Sequence, residues 1–387
     1  MEFVHGEGEH IPVPALTATL LSHSLFACQA NSDRWNNMIG ETFVIDAVAH
    51  ALDASEESRG RNRYAKSVVD GNFKWQWALM PDPYRVPEDR YFRSIPPDLL
   101  CSALFEESQT DVACFHTLPM KGIFEDFSPM SVGLAIREEY PHRMLLYGAA
   151  SPIDGSDMLA ELERQVEEWG IKGVKLYPVD LVDGRMESYS LADEQRVYPL
   201  LEKCQELGVG VVAVHKAVPL GIAPVGPFRM DDIDHAARDF PDLAFEVVHA
   251  GYAFLDETAM MAARFENVYV NLEVTAQLLP KHPRKFARII GELMLARGSE
   301  CILWGTGCSF THARPLIEDF MAFEMPEDMV EGDGYAPLTD EDKANILGLN
   351  FARLHGLDVD ALREQVAADD IEQGKRDEGL KPPWSKW

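Results

Sequence analysis

Four histidines occupy the same kind of position in this sequence. His50 closes the apolar run Phe43-Val44-Ile45-Asp46-Ala47-Val48-Ala49, and His116 closes Val112-Ala113-Cys114-Phe115. His215 closes Val211-Val212-Ala213-Val214, and His249 closes Phe245-Glu246-Val247-Val248. Glu273 ends a further run, Val268-Tyr269-Val270-Asn271-Leu272, and Lys175 follows Gly173-Val174. Imidazoles and carboxylates gathered at one place match the ligand set of a site for zinc, iron or manganese, and imidazole is also the acid/base that titrates near neutrality. The candidate metal ligands are therefore Asp46, His50, His116, His215, His249 and Glu273, and the candidate catalytic groups are His249 and Lys175. Asp46, four residues before His50, shares its side of the run and is expected to face the interior as a bridging or supporting carboxylate. An interior Lys175 would be ion-paired, depressed in pKa or carbamylated. Glu246, three residues before His249, is expected on the opposite face, in a structural role. His312, after Cys308-Ser309-Phe310, is placed to reach the site from its loop; His5, His10, His23, His142, His235, His282 and His355 are expected in solvated loops and helices.

Positioning these residues requires strands buried on both faces, because the runs are apolar at consecutive positions rather than alternating. Helical segments are expected at about 98–109, 130–139, 155–169, 191–206, 230–239, 256–265 and 283–297. Each precedes a strand, and with Met144-Leu145-Leu146-Tyr147 and Ile302-Leu303-Trp304 the strands number eight. Strictly alternating strands and helices give parallel strands with right-handed crossovers, and eight of them close into an α/β barrel, the (β/α)8 TIM fold. In such a barrel the active site forms at the carboxyl ends of the strands, where the four histidines fall.

The expected division is an N-terminal extension over 1–40 with an apolar helical piece near 15–27, a barrel over 41–355, and a charged tail over 356–387. Residues 53–97, rich in Arg, Asn, Pro and aromatics, read as a long irregular insertion after the first strand, a substrate lid or a dimer contact. A last helix is expected at about 339–353, and the stretch 369–387 is expected to wrap the surface or a second subunit, so a homodimer is an arrangement the insertions allow.

The formal charge of −29, from 64 acidic and 35 basic residues, argues against nucleic acid or an anionic membrane as partner. The partner expected is a small-molecule substrate. No apolar run approaches the ~18 residues of a membrane span, and the N-terminus lacks a signal-peptide pattern, so a cytoplasmic enzyme is expected. Six cysteines are scattered without CxxC spacing, as reduced core thiols would be. There is no GxGxxG or GxxxxGK[ST] loop to hold a nucleotide by its phosphates.

Over about residues 43–355 the chain resembles the amidohydrolase superfamily, in particular its decarboxylase-like branch. Ile45-Asp46-Ala47-Val48-Ala49-His50 resembles the IDxHxH opening of that family, Gly173-Val174-Lys175-Leu176-Tyr177-Pro178 its fourth strand, and Ile302-Leu303-Trp304-Gly305-Thr306-Gly307 its WGTD ending. His215 and His249 match its fifth- and sixth-strand histidines. Two positions depart from the pattern: Val48 stands where the resemblance implies a histidine ligand, and Gly307 where it implies an aspartate that binds metal and activates water. His116 and Glu273, on neighbouring strands, are the candidates to refill those places. About four histidines with two carboxylates resemble the TIM-barrel non-haem di-iron monooxygenases of platensimycin and platencin biosynthesis. That resemblance implies two iron ions, O₂ as co-substrate and hydroxylation of a mostly apolar small molecule. The same donors would serve a zinc- or manganese-dependent hydrolase or decarboxylase of a cyclic or aromatic carboxylic acid.

Overall fold

Each of the expected strand-forming runs becomes a strand. The computed structural model describes residues 42–387, so the expected extension over 1–40 and its helical piece lie outside the described residues. The strands are β1 (Ile45–Ala49), β2 (Val112–His116), β3 (Met144–Ala149), β4 (Gly173–Leu176), β5 (Val211–His215), β6 (Ala244–Val248), β7 (Val268–Asn271) and β8 (Ile302–Leu303). They form one eight-stranded parallel sheet in chain order. The chain beyond β8 closes it onto β1: Ala47 N donates to Trp304 O (2.9 Å), Gly307 N to Val48 O (2.9 Å) and His50 N to Cys308 O (2.6 Å). The result is the expected (β/α)8 barrel, with helices between the strands.

Burial closes one end. Phe43, Ile45, Val112, Val211 and Leu303 pack in one cluster with Phe351, Ala352 and Val366 of the C-terminal helices Asn350–His355 and Val359–Ala368. Those helices cover the mouth at which the strands begin, leaving the carboxyl ends for chemistry. Gly348 permits the approach, because a Cβ there would stand 2.2 Å from Phe43 O.

One local expectation is corrected and two features are added. The insertion over 53–97 is largely helical, built around the helix Arg63–Leu79. Asn62 caps it by accepting from the amides of Tyr64 and Ala65, and Ala65, Val68, Val69, Gln76 and Leu79 are buried along one face. A hairpin not expected from the sequence, Val179–Val182 paired with Arg185–Ser188, follows β4. Its turn residues Asp183 and Gly184 both have positive φ, 49° and 75°, the Asp-Gly signature of a tight hairpin. The tail is partly the helix Asp370–Glu378, capped by Asp369, and its last residues dock on the barrel. Five cysteines of the described residues are free. Among the described residues no helix is long and apolar enough to cross a membrane.

Candidate active site

His50, His215, His249 and Glu273 all line one cavity of about 240 Å³ at the carboxyl ends of the strands. The rest of its wall is mainly apolar, with Val68 and Trp75 from the insertion helix, Leu220 from the loop after β5, and Phe310 from the loop after β8.

The four side chains are held by specific contacts. His50, directly after β1, has Nδ1 on the carbonyl of His116 at 3.0 Å; since a carbonyl only accepts, Nδ1 carries the proton and Nε2 keeps its lone pair. His215 ends β5 and likewise donates from Nε2 to Val218 O at 2.7 Å, which leaves Nδ1 to accept from His249 Nε2 at 2.9 Å. The remaining nitrogen of His249, Nδ1, lies against the carboxylate of Glu273. In this chain of contacts a neutral His249 would set a lone pair against a carboxylate, so the junction calls for a proton or a cation.

Burial dominates the electrostatics. It pushes His50 down to about 4, against the favourable charge of Glu273. It also drives His215 and His249 well below the ordinary imidazole value, and it raises the carboxyl of Glu273. Glu273 Oε2 has no aligned hydrogen-bond partner. The backbone is unusual at the same place, with φ of 70° at His249, 63° at Val274 and 69° at Gly307. Left-handed conformations at two side-chain-bearing residues cost energy and persist where the surroundings enforce them.

The conformation of His249 also corrects the placement of Glu246. Lys175, Ala213 and Glu246 are aligned neighbours across β4, β5 and β6, and Ala213 belongs to the barrel core, so Glu246 faces inward. Val248 is the partner of His215 and shares its face. His249 should therefore point away; its positive φ turns it back to the cavity. Glu246 is fully buried and accepts from Asn271 Nδ2 at 2.6 Å.

Other candidates lie beneath the cavity without lining it. Asp46 is committed to the β1–β8 junction: its carboxylate accepts from the Thr306 amide (3.0 Å), the Thr306 hydroxyl and the Val48 amide (3.2 Å). Burial raises it to about 7 despite those bonds. His116 is fully buried, stacked on Tyr147 with ring centroids 4.4 Å apart, and both its ring nitrogens lack partners. Lys175 Nζ is also unpartnered; burial lowers its pKa, opposed by the charges of Glu246 and Glu273.

His312 does not reach the cavity. Its Nε2 bonds Glu107 Oε2 at 3.0 Å and its ring packs on Trp384. Two histidines expected in solvent are also engaged, His355 with Tyr147 OH at 2.6 Å and His142 with Asp369 at 2.8 Å. Tyr177, whose ring lies 4.3 Å from that of His215, was given no role from the sequence, although its place just beyond β4 is a rim position.

The fit of these residues to a metal is mixed in geometry and good in chemistry. Among the described residues no group of three or more His, Cys, Asp or Glu stands in metal-holding geometry, because His215, His249 and Glu273 are turned toward one another. Their types suit zinc or manganese. Glu273 also stands where an acidic side chain at 307 would be: a Cβ on Gly307 would lie 2.3 Å from Glu273 Oε1.

Comparison with known proteins places the chain among others. The family model described as Amidohydrolase matches residues 45–357. No curated protein matches. An uncharacterised TIM-barrel protein from Bordetella bronchiseptica is 17% identical with a TM-score of 0.54, covering 84% of this chain and 99% of that one. The 2,6-dihydroxybenzoate decarboxylase from Rhizobium is 14% identical with a TM-score of 0.51, covering 81% and 99%. The 5-carboxyvanillate decarboxylase from Sphingomonas paucimobilis is 14% identical with a TM-score of 0.51, covering 82% and 100%. Identities this low establish a common fold.

Proposed function

The chain belongs to the amidohydrolase family, and on that premise we propose a redox-neutral, metal-dependent enzyme that hydrolyses or decarboxylates a cyclic or aromatic carboxylic acid. The observation that carries this reading is Glu273. Its Oε1 fills the space beside Gly307, its Oε2 lies against His249 Nδ1 without an aligned hydrogen bond, and it lines the same cavity as three histidines. His50 Nε2 and the Glu273 carboxylate would hold one divalent ion, zinc or manganese, and His215 would join them through Nδ1 on release of that nitrogen from His249. Such an ion supplies Lewis-acid polarisation of the substrate's oxygen.

The chain's own residues do the rest. His249 lies between His215 Nδ1 and the Glu273 carboxylate, where it can take up and return a proton at Nδ1. The Val218 carbonyl fixes the tautomer of His215, and the His116 carbonyl that of His50. Apolar walls exclude bulk water and strengthen every charge interaction inside. The solved structures of like fold include two decarboxylases of aromatic acids, which makes decarboxylation a natural member of the proposed class.

The di-iron monooxygenase reading is less well supported. It needs a second set of ligands at the cavity, and Asp46 and His116, which would supply it, do not line it.

Elemental analysis of the wild type, Glu273→Gln and His116→Ala decides between the readings. The expected result is one zinc or manganese per chain, lost in Glu273→Gln and kept in His116→Ala. Two irons per chain, lost in both variants, would overturn the proposal in favour of the dinuclear oxygenase.

A further inference from the structure

One side of the cavity is a single helix face. Ser67, Val68, Gly71, Asn72 and Trp75 line it, at spacings of one, four, five and eight residues from Ser67. Gly71 sits mid-helix on that face, and a Cβ built there meets nothing within 4 Å. Glycine is among the poorest helix formers. Packing explains some helical glycines: a Cβ on Gly133 would strike Phe115 at 2.6 Å, and one on Gly291 would strike Tyr335 at 2.5 Å; Gly332 and Gly374 face open space as Gly71 does, but neither lines the cavity. At Gly71, exposed at the edge of the cavity, no neighbour among the described residues requires it, and a side chain would enter open space along that wall.

Among the described lining residues the histidines and the carboxylate are confined to one end. Among the described residues lining the cavity there is no lysine or arginine, and its ionisable ligand groups are His50, His215, His249 and Glu273. Trp75 Nε1 is already used, donating to Gln277 Oε1 at 2.7 Å. A second negative charge on a bound molecule, remote from that end, would be desolvated with no cationic side chain among the described lining residues to pair it.

We propose that Gly71 is the specificity-determining position of this site, where the ring of a singly anchored aromatic or alicyclic acid lies against bare helix backbone with its one polar group at the histidine–glutamate end. The inference rests on the functional reading above for that polar end, and on the helix face alone for the ring. Trp75 and Leu220 flank the slot, and Gly71 sets its width.

The test uses the full-length, zinc-loaded protein and 1-naphthoate as probe, titrated against wild type, Gly71→Ala, Gly71→Leu and the control Gly374→Ala, a helical glycine with equally open surroundings outside the cavity. Both alanine variants should raise the melting temperature by about 2 °C as helix propensity improves. Gly71→Leu should weaken 1-naphthoate at least tenfold with zinc content unchanged and melting no lower than wild type. Naphthalene-1,5-dicarboxylate should bind the wild type at least tenfold more weakly than 1-naphthoate. Binding by Gly71→Leu within twofold of wild type, equal binding of the dicarboxylate, or no binding of 1-naphthoate by zinc-loaded wild type would each overturn the inference. A parallel titration of metal-free protein with uncharged 1-methylnaphthalene reads the slot alone. A Gly71→Leu loss there, together with no zinc uptake by wild type, would sink the metal reading and leave the slot standing.

Discussion

Two buried glutamate–histidine pairs, Glu273 with His249 and Glu107 with His312, have the same composition and opposite character. The Glu107 carboxylate accepts five hydrogen bonds: from His312 Nε2 (3.0 Å), Trp384 N (2.6 Å), Ser102 Oγ (2.8 Å), Ser385 N (2.9 Å) and Ser385 Oγ (2.6 Å). Burial works to raise it, but His312 and the serines overcome that and hold it below the ordinary carboxylate range. Glu273 is equally buried, 2% against 1% exposed, yet one of its oxygens has no aligned partner and burial raises it unopposed by comparable donors. A saturated buried carboxylate is a structural fastening. An unsaturated one, beside a cavity, keeps its charge available for a cation, a proton or a substrate.

That contrast sets opposite expectations for removing each carboxylate. Glu107→Ala should lower unfolding stability by ~3–5 kcal/mol, because a buried pair is broken and several donors lose their acceptor. Urea denaturation measures it, and zinc content per folded chain should be unchanged. Glu273→Gln should leave the metal-free protein within ~1 kcal/mol of wild type, since an unsatisfied buried charge is replaced by a neutral isostere. Its zinc affinity should fall about 100-fold or more in a competition titration, given that residues merely supporting a ligand are worth 10–100-fold. If the two variants exchanged phenotypes, hydrogen-bond saturation would be the wrong guide to which pair does chemistry.

The strand-end histidines were legible in sequence because each closes an apolar run, a local pattern that the barrel converts into a common rim. The helix Arg63–Leu79 was present as the spacing of Ala65, Val68, Val69, Gln76 and Leu79 behind an Asn cap, and the aromatics among them obscured it. Glu246 was misplaced because a period of two presumes an extended backbone, and φ of 70° at His249 breaks it. The division between cavity-lining His50, His215 and His249 and the submerged His116 is set by how far each ring lies below the rim, which strand periodicity does not encode. His312 followed from no local pattern, since its partners Glu107 and Trp384 stand 205 residues before it and near the C-terminus.

The C-terminal residues sharpen the comparison, because they contact only the saturated pair. Trp384 is 9% exposed, donates Nε1 to Tyr84 O at 2.9 Å, and faces the His312 ring edge-on at 4.8 Å. Tyr84 belongs to the insertion whose helix walls the cavity, so the fastening ties that wall to the body of the barrel. Trp384→Ala should cost ~2–3 kcal/mol in urea denaturation, at the low end for a large buried aromatic because the site is at the surface and can relax. Zinc affinity should stay within twofold.

Acid titration gives the smallest effect and the most direct one. Glu107 is held below its ordinary value of 4.5 in the folded chain, so the unfolded chain binds its proton first. The stabilisation is therefore present above about pH 4.5 and is lost as the pH falls below it. Glu107→Gln has no proton to bind and should show a flatter decline of stability over that range than wild type. If the declines were parallel, the five hydrogen bonds would not be holding the charge, and Glu107 would resemble Glu273 after all.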